Sequence, residues 1–299
     1  MPKQHYYCRT TSTSSRSGAT ARRLLLLATL LASAVPALAQ RALLSHAEQP
    51  AKLIRKTTVY AAPAGASLQA GDIIESSAAG LQIEWPNGAL TALGPSSSVQ
   101  LDAAGPASLN VLRGWLKVSS GKLANGHVSV AVGALQVKAA QGSGILHLAA
   151  DGSELFVEQG TLAATDSDKP GAPALAVARD QYALRRGALP AQVAPRPPKL
   201  FISAMPKSFF DPLVPVARRV KPAAPTALRE VEAKDLAGWN DVPSLVNKRL
   251  VAQFAGRLSD AAFAKEAETV LGENADWRLA LQQNANAKKR NSTITNHLF

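Results

Sequence analysis

The chain has 299 residues, of which 46% are hydrophobic, 18% charged and 5% aromatic. That balance excludes a chain disordered throughout and a multi-span membrane protein, and 20 glycines with 19 prolines exclude collagen-like and Gly/Pro low-complexity classes. The net charge of +12 is unevenly placed: residues 1–40 hold five cations and no acid, residues 41–190 are nearly neutral at +1, and residues 191–299 carry +6. Basic charge is thus a property of the two ends, and no nucleic-acid partner is expected because cations and aromatics are not interleaved.

Residues 1–39 read as a secretory leader. A basic stretch ends at Arg22-Arg23, an apolar run extends from Leu24 to Val35, and Ala37-Leu38-Ala39 supplies a small-x-small cleavage site. Cleavage after Ala39 sends the mature chain to the periplasm. The run extended to Ala39 gives roughly 24 Å of helix, short of a hydrocarbon core of about 30 Å. The alternative is an uncleaved inner-membrane anchor, the one case in which a membrane is a partner. The single cysteine, Cys8, falls inside the leader, so the mature chain has no thiol for disulfides, thiolate metal sites or nucleophilic catalysis.

From residue 50 to 186 short apolar alternations are punctuated by turns, the pattern of an all-β domain. Leu81, Ile83 and Trp85 alternate before Asn87-Gly88. Val128, Val130 and Val132 precede Gly133, with Leu135, Val137 and Ala139 after it, and Leu155-Phe156-Val157 follow Asp151-Gly152. Asn87-Gly88, Asn125-Gly126 and Asp151-Gly152 suit hairpin turns whose central residues need positive φ. About a dozen strands of this kind predict a β-sandwich or a β-solenoid-like fold.

Residues 187–226 contain nine prolines and read as a linker with an apolar docking segment at 201–213 that contains Phe201, Phe209 and Phe210. A helical period follows over 227–281. Val246, Leu250 and Leu258 with Leu245, Arg249 and Phe254 form one stripe, and Phe263, Ala267, Val270 and Leu271 a second. Asp241 and Ser259 are candidate N-caps and Gly272 a C-terminal stop. This predicts a helical hairpin that must pack on something, followed by a disordered basic tail at 282–299.

Leu68-Gln69-Ala70-Gly71-Asp72, then Asn87-Gly88 with the run to Leu93, and Val111-Leu112-Arg113-Gly114 are similar to the FecR-like periplasmic domain family over about residues 50–165. The motif positions are Leu68, Gly71, Asp72, Asn87, Gly88, Leu93 and Gly114, all structural in kind. The resemblance implies a β-rich periplasmic module for sensing, signalling or envelope interaction, without catalysis. Known members include membrane-anchored anti-sigma regulators with a cytoplasmic helical segment. Here only 23 residues precede the apolar run.

No catalytic, metal or cofactor set emerges. His46, His127, His147 and His297 lack ligand spacing. Gly142-Ser143-Gly144 lacks the outer glycines of a nucleophile elbow and reads as a turn. Asp151, Glu154 and Glu158 form an acidic cluster, but Glu154, Phe156 and Glu158 share one strand face opposite Leu155 and Val157, as on a solvated strand. The candidate interaction face is Arg113, Trp115 and Lys117, projecting together outside an inward set of Leu112, Gly114, Leu116 and Val118. A tryptophan flanked by cations suits an envelope protein or polymer, unless the 201–210 segment covers it. Neither the partner nor the oligomeric state is specified by the sequence.

Overall fold

The computed structural model describes residues 42–298 apart from 104, 106, 122–125, 170, 240 and 241, with side chains to residue 290. The leader, Cys8, the side chain of His297, Asn125 of the second turn dipeptide and the proposed cap Asp241 lie outside what is described.

The described residues form a mainly β architecture, one large mixed sheet of sixteen strands with a few small C-terminal helices. In chain order the strands are β1 Ala42–Ala47, β2 Ala51–Arg55, β3 Thr58–Ala62, β4 Ser67–Leu68, β5 Ile73–Glu75, β6 Leu81–Glu84, β7 Leu90–Leu93 and β8 Ser98–Leu101. They continue as β9 Ser108–Ser119, β10 Val128–Val132, β11 Leu135–Ala149, β12 Gly152–Asp166, β13 Leu175–Ala178, β14 Tyr182–Arg186, β15 Gln192–Ala194 and β16 Thr226–Glu230. The main path runs β15-β14-β12-β11-β10-β9-β8-β5-β2-β3-β16, and β1, β4, β6, β7 and β13 branch from it. Pairing is antiparallel apart from β9 with β10, where Leu109 lies beside Val130. The β architecture starts at residue 42, ahead of the boundary at 50, and takes in β15 from the stretch read as a linker and β16, all but its first residue, from the stretch read as a helical hairpin.

Strand alternation assigns successive side chains to different cores. Leu53, Ile74, Val111, Leu146, Leu155 and Ala183 join a central cluster. Their neighbours point the other way, into one of two outer clusters. Ile54, Ile73 and Leu112 meet the C-terminal helices, whereas Ala92, Ile145 and Tyr182 meet Phe201, Met205 and Phe209. Both outer faces are therefore covered by the chain's own C-terminal third. Leu112 departs from the expected inward set. The register shifts between β8 and β9 at Ser98/Val99, opposite Arg113 and Val111, so the facing parity of β9 changes there and sends Leu112 to the outer side.

The covering segment at 199–220 is a strap. Helix α1 (Lys199–Ala204) turns Phe201 inward, and a short 3-10 turn buries Phe209. Further on, Gln82 Nε2 donates to the Val214 carbonyl at 2.9 Å, and Glu84 Oε1 accepts from the backbone N–H groups of Val216 at 2.5 Å and Ala217 at 2.8 Å. Ala223 N–H then donates to the Gly65 carbonyl at 3.0 Å, and β16 pairs with β3. The proline-rich stretch thus runs from β15 at one sheet edge to β16 at the other.

The rest of the chain is helical: α2 Ser244–Phe254, α3 Ala261–Leu271 and α4 Ala275–Leu298. Val246, Leu250, Phe254, Leu258, Phe263, Ala267 and Leu271 are buried as their spacing predicts, while Leu245 faces outward. Asp260, one residue after the expected Ser259, caps α3 by accepting from Ala262 and Phe263 N–H. Gly272 follows the last residue of α3. Two points differ from the sequence reading: α4 adds a third helix to the hairpin, and it continues through 282–298, where a disordered tail was expected. Alanines 285 and 287 and Lys288-Lys289-Arg290 are good helix formers despite their polarity as a set.

Candidate functional site

The motif residues shape the scaffold. Gly71 has φ +85° and opens a turn in which Asp72, almost fully buried, accepts Gln69 N–H at 2.8 Å and both Arg55 Nε at 2.9 Å and Nη2 at 2.7 Å. The hydrogen bond and charge of Asp72 raise the Arg55 pKa against the effect of burial. Asn87 donates to the His127 carbonyl at 2.9 Å and accepts Ala89 N–H at 3.1 Å, while Gly88 makes the turn. Leu68 and Leu93 lie in the central core. Gly114 has φ +81°, and a Cβ there would sit 2.4 Å from Ser97 Oγ.

Arg113, Trp115 and Lys117 have different surroundings. Arg113 is exposed and pairs with Glu75 at 3.3 Å while donating to the Ser96 carbonyl. Trp115 is half-buried. It stacks on its cross-strand partner His147 with ring centroids 3.9 Å apart and planes 11° from parallel, and Phe201 of α1 packs over it at 5.1 Å. Lys117 is 2% exposed and donates to Glu158 Oε1 at 2.8 Å, the Phe209 carbonyl at 2.5 Å and the Asp211 carbonyl at 2.8 Å. The outward parity of Trp115 and Lys117 is as expected, but the face they project from is covered by the strap, and only Arg113 remains open.

His147 belongs to a second polar cluster under the same strap. Its Nδ1 lies 2.6 Å from Glu154 Oε2, and Tyr182 hydroxyl donates to Glu154 Oε1. Burial would raise the Glu154 pKa, but the hydrogen bonds from His147 and Tyr182 outweigh it and the net direction is down. Tyr182 is pushed well above the usual phenol range by burial and by Glu154. The three carboxylates of the acidic cluster have separate partners: Asp151 pairs with Arg186 at 3.0 Å, Glu154 with His147, and Glu158 with Lys117. Gly142-Ser143-Gly144 is part of β11, where the register shifts between Ser143 and Gly144, so the expected turn is an irregular stretch of strand.

Beside Lys117 a cavity of about 400 Å³ opens between sheet and strap. The sheet side supplies Ser119, Ser143, Glu158 and Gln159, and the strap supplies Phe210, Pro212 and Leu213. Phe210 is 60% exposed, although its neighbour Phe209 is buried. Glu158 Oε2 is buried and has no hydrogen-bond partner among the described residues. The docking segment was legible as an apolar island. That it would be tied down by a buried lysine and leave a cavity was not, because those partners are 92 and 94 residues apart in sequence.

No family model and no curated protein matches this chain. Among solved structures, two crystal structures of an inferred anti-sigma factor from Parabacteroides distasonis, at 1.65 and 2.50 Å, match with a TM-score of 0.35 each. Identity is 10% and 11%, and each match covers 42% of this chain and 59% of that protein, so this chain spans less than two thirds of its length.

Proposed function

We propose that this chain is an exported, non-catalytic binding and scaffold module of the bacterial cell envelope, built on a FecR-type β domain of sandwich or solenoid kind. The observation that carries the reading is the cavity beside Lys117, because its walls come from two parts of the chain held in fixed relation by a buried cation. Preformed concave sites with a few converging polar groups are the usual form of a recognition site. The leader at 1–39 supports export to the periplasm, and the FecR-like motif positions serve turns and one buried ion pair. Recognition is assigned to the outer surface of the strap, where Leu200 and Val214 are exposed together with Phe210, and to Arg113, the one member of its predicted face that is exposed, its guanidinium paired with Glu75. The partner is an envelope protein or polymer.

A photo-crosslinking residue at Val214 or Leu200, introduced into cells producing the full chain, tests this. The expected result is a discrete crosslinked envelope component that is absent when the crosslinker replaces buried Phe254. Equal, diffuse labelling from all three positions would overturn the reading. The apolar run Leu24 to Val35 favours one alternative, a membrane-anchored FecR-type regulator with an uncleaved leader. N-terminal sequencing decides between them: a start at Gln40 supports the exported module, and an intact Arg22-Arg23 the anchor.

A further inference from the structure

We infer that the cavity between the sheet and the strap binds an uncharged sugar ring. This rests on the binding-module reading and names the ligand class for it. At about 400 Å³ the cavity falls in the range of small-molecule sites. Its two sides differ in chemistry. The strap side is apolar and carries the exposed ring of Phe210, while the sheet side carries Ser119, Ser143 and Gln159, whose side chains make no hydrogen bond among the described residues. These three groups both donate and accept, and the unpartnered Glu158 Oε2 can only accept.

Charge narrows the choice. Glu158 is neutralised by Lys117 at 2.8 Å, and Arg179, at the edge of the cavity, pairs with Asp180 at 3.5 Å. Lys117 already donates to three acceptors and has no N–H left for a ligand. An anion would meet the Glu158 carboxylate, and Arg179, the remaining cation at the rim, is exposed to solvent and paired with Asp180, which weakens its hold on an anion. An apolar ligand would strand the serines, the glutamine and Glu158 without partners as it displaced water, which costs about 1–3 kcal/mol for each buried group. A pyranose matches both sides at once. Its C–H face lies on an aromatic ring, whose face is electron-rich, and its hydroxyls exchange hydrogen bonds with groups that can donate or accept.

The test is saturation-transfer NMR and titration calorimetry on the purified full chain with chitobiose, cellobiose and maltose, and with a sulfated disaccharide as the charged control. Binding of at least one neutral disaccharide is expected, weakened about tenfold or more by Phe210→Ala and by Gln159→Ala and unchanged by Leu245→Ala on α2, outside the cavity and the strap. Phe210, Gln159 and Leu245 are exposed, so unchanged thermal melts will separate lost binding from lost fold. No binding of any neutral sugar at millimolar concentration, preference for the sulfated one, or equal affinity in Phe210→Ala would each overturn the inference. A crosslinked partner captured through Val214 without sugar binding would sink this inference alone and leave the binding-module reading standing.

Discussion

Lys117 Nζ reaches Glu158 Oε1 at 2.8 Å from two strands away, since β11 pairs with β9 on one side and β12 on the other. The same ammonium holds the Phe209 and Asp211 carbonyls, so one side chain joins two strands and the strap. Breaking a buried pair from one side leaves an uncompensated charge and orphaned acceptors, at about 3–5 kcal/mol. Lys117→Met is therefore expected to release the strap before the sheet unfolds. Limited trypsin digestion should show cleavage after Lys207 speeding up at temperatures where the far-ultraviolet signal is intact. Adding Glu158→Gln should restore part of the protection.

Gly114→Ala is expected to destabilise the β domain by about 2–3 kcal/mol, because a positive φ and a blocked Cβ act together. The new methyl would sit 2.4 Å from Ser97 Oγ, which accepts the Trp115 N–H at 2.8 Å. A lower thermal midpoint with unchanged denaturant slope is the expected signature. A midpoint equal to that of the parent would show that Ser97 moves aside freely.

Acid should loosen the junction between the C-terminal unit and the sheet. Burial of Asp235 opposes its charge, but hydrogen bonds from Arg229, from Lys52 at 2.8 Å and from Glu232 N–H win and hold its carboxyl well below the usual range. A carboxyl depressed in the folded state stabilises fully above its unfolded pKa of about 3.9, and that contribution fades as pH falls below about 4. Urea midpoints measured between about pH 3 and 6 should fall on the acid side, with a shallower fall in Asp235→Asn. An identical acid slope in the variant would assign the effect elsewhere.

Phe254→Ala should weaken the attachment of the helical unit by about 3–5 kcal/mol, because the ring is fully buried among Ile54, Ile73 and Leu112 and the helices. Trp239 and Trp277 share that cluster, and Trp239 Nε1 donates to buried Ser98 Oγ at 3.0 Å. Tryptophan emission should therefore shift to the red at lower denaturant than the loss of β signal. Coincident transitions would mean that sheet and helices unfold as one unit.

The alternation of Leu81 with Ile83, and of Val128 with Val130 and Val132, was enough to read strands and their core face, since a two-residue period is a local property. The spacing of Val246, Leu250 and Phe254 was enough for a helix. What covers an outward face is not local. Trp115 and Lys117 point outward as their parity says, and nothing within ten residues of either indicates that Phe201 and Phe209 will cover them. Prolines 206, 212 and 215 read as part of a linker, and their fixed φ is equally suited to a strap held by side chains such as Gln82 and Glu84. Leu112 was misplaced because a register shift opposite Val111 and Arg113 separates it from Leu116 and Val118, so the parity that holds beyond the shift fails before it. For the cavity, the sequence shows Phe209 and Phe210 side by side but not that one is buried and the other exposed, and the polar wall comes from residues spread over β9, β11 and β12.

The pairing of Thr58 with Glu230 joins residues 172 positions apart, and it completes the sheet edge at β3. A nascent chain has no β16 until residue 230 has been made, so for most of its synthesis β3 presents a bare hydrogen-bonding rim to any neighbour. Closing so long a loop is slow, and contact order of this kind sets the pace of folding. An unprotected rim in that interval invites strand exchange between copies. Chains truncated before residue 226 should consequently aggregate where the complete chain does not.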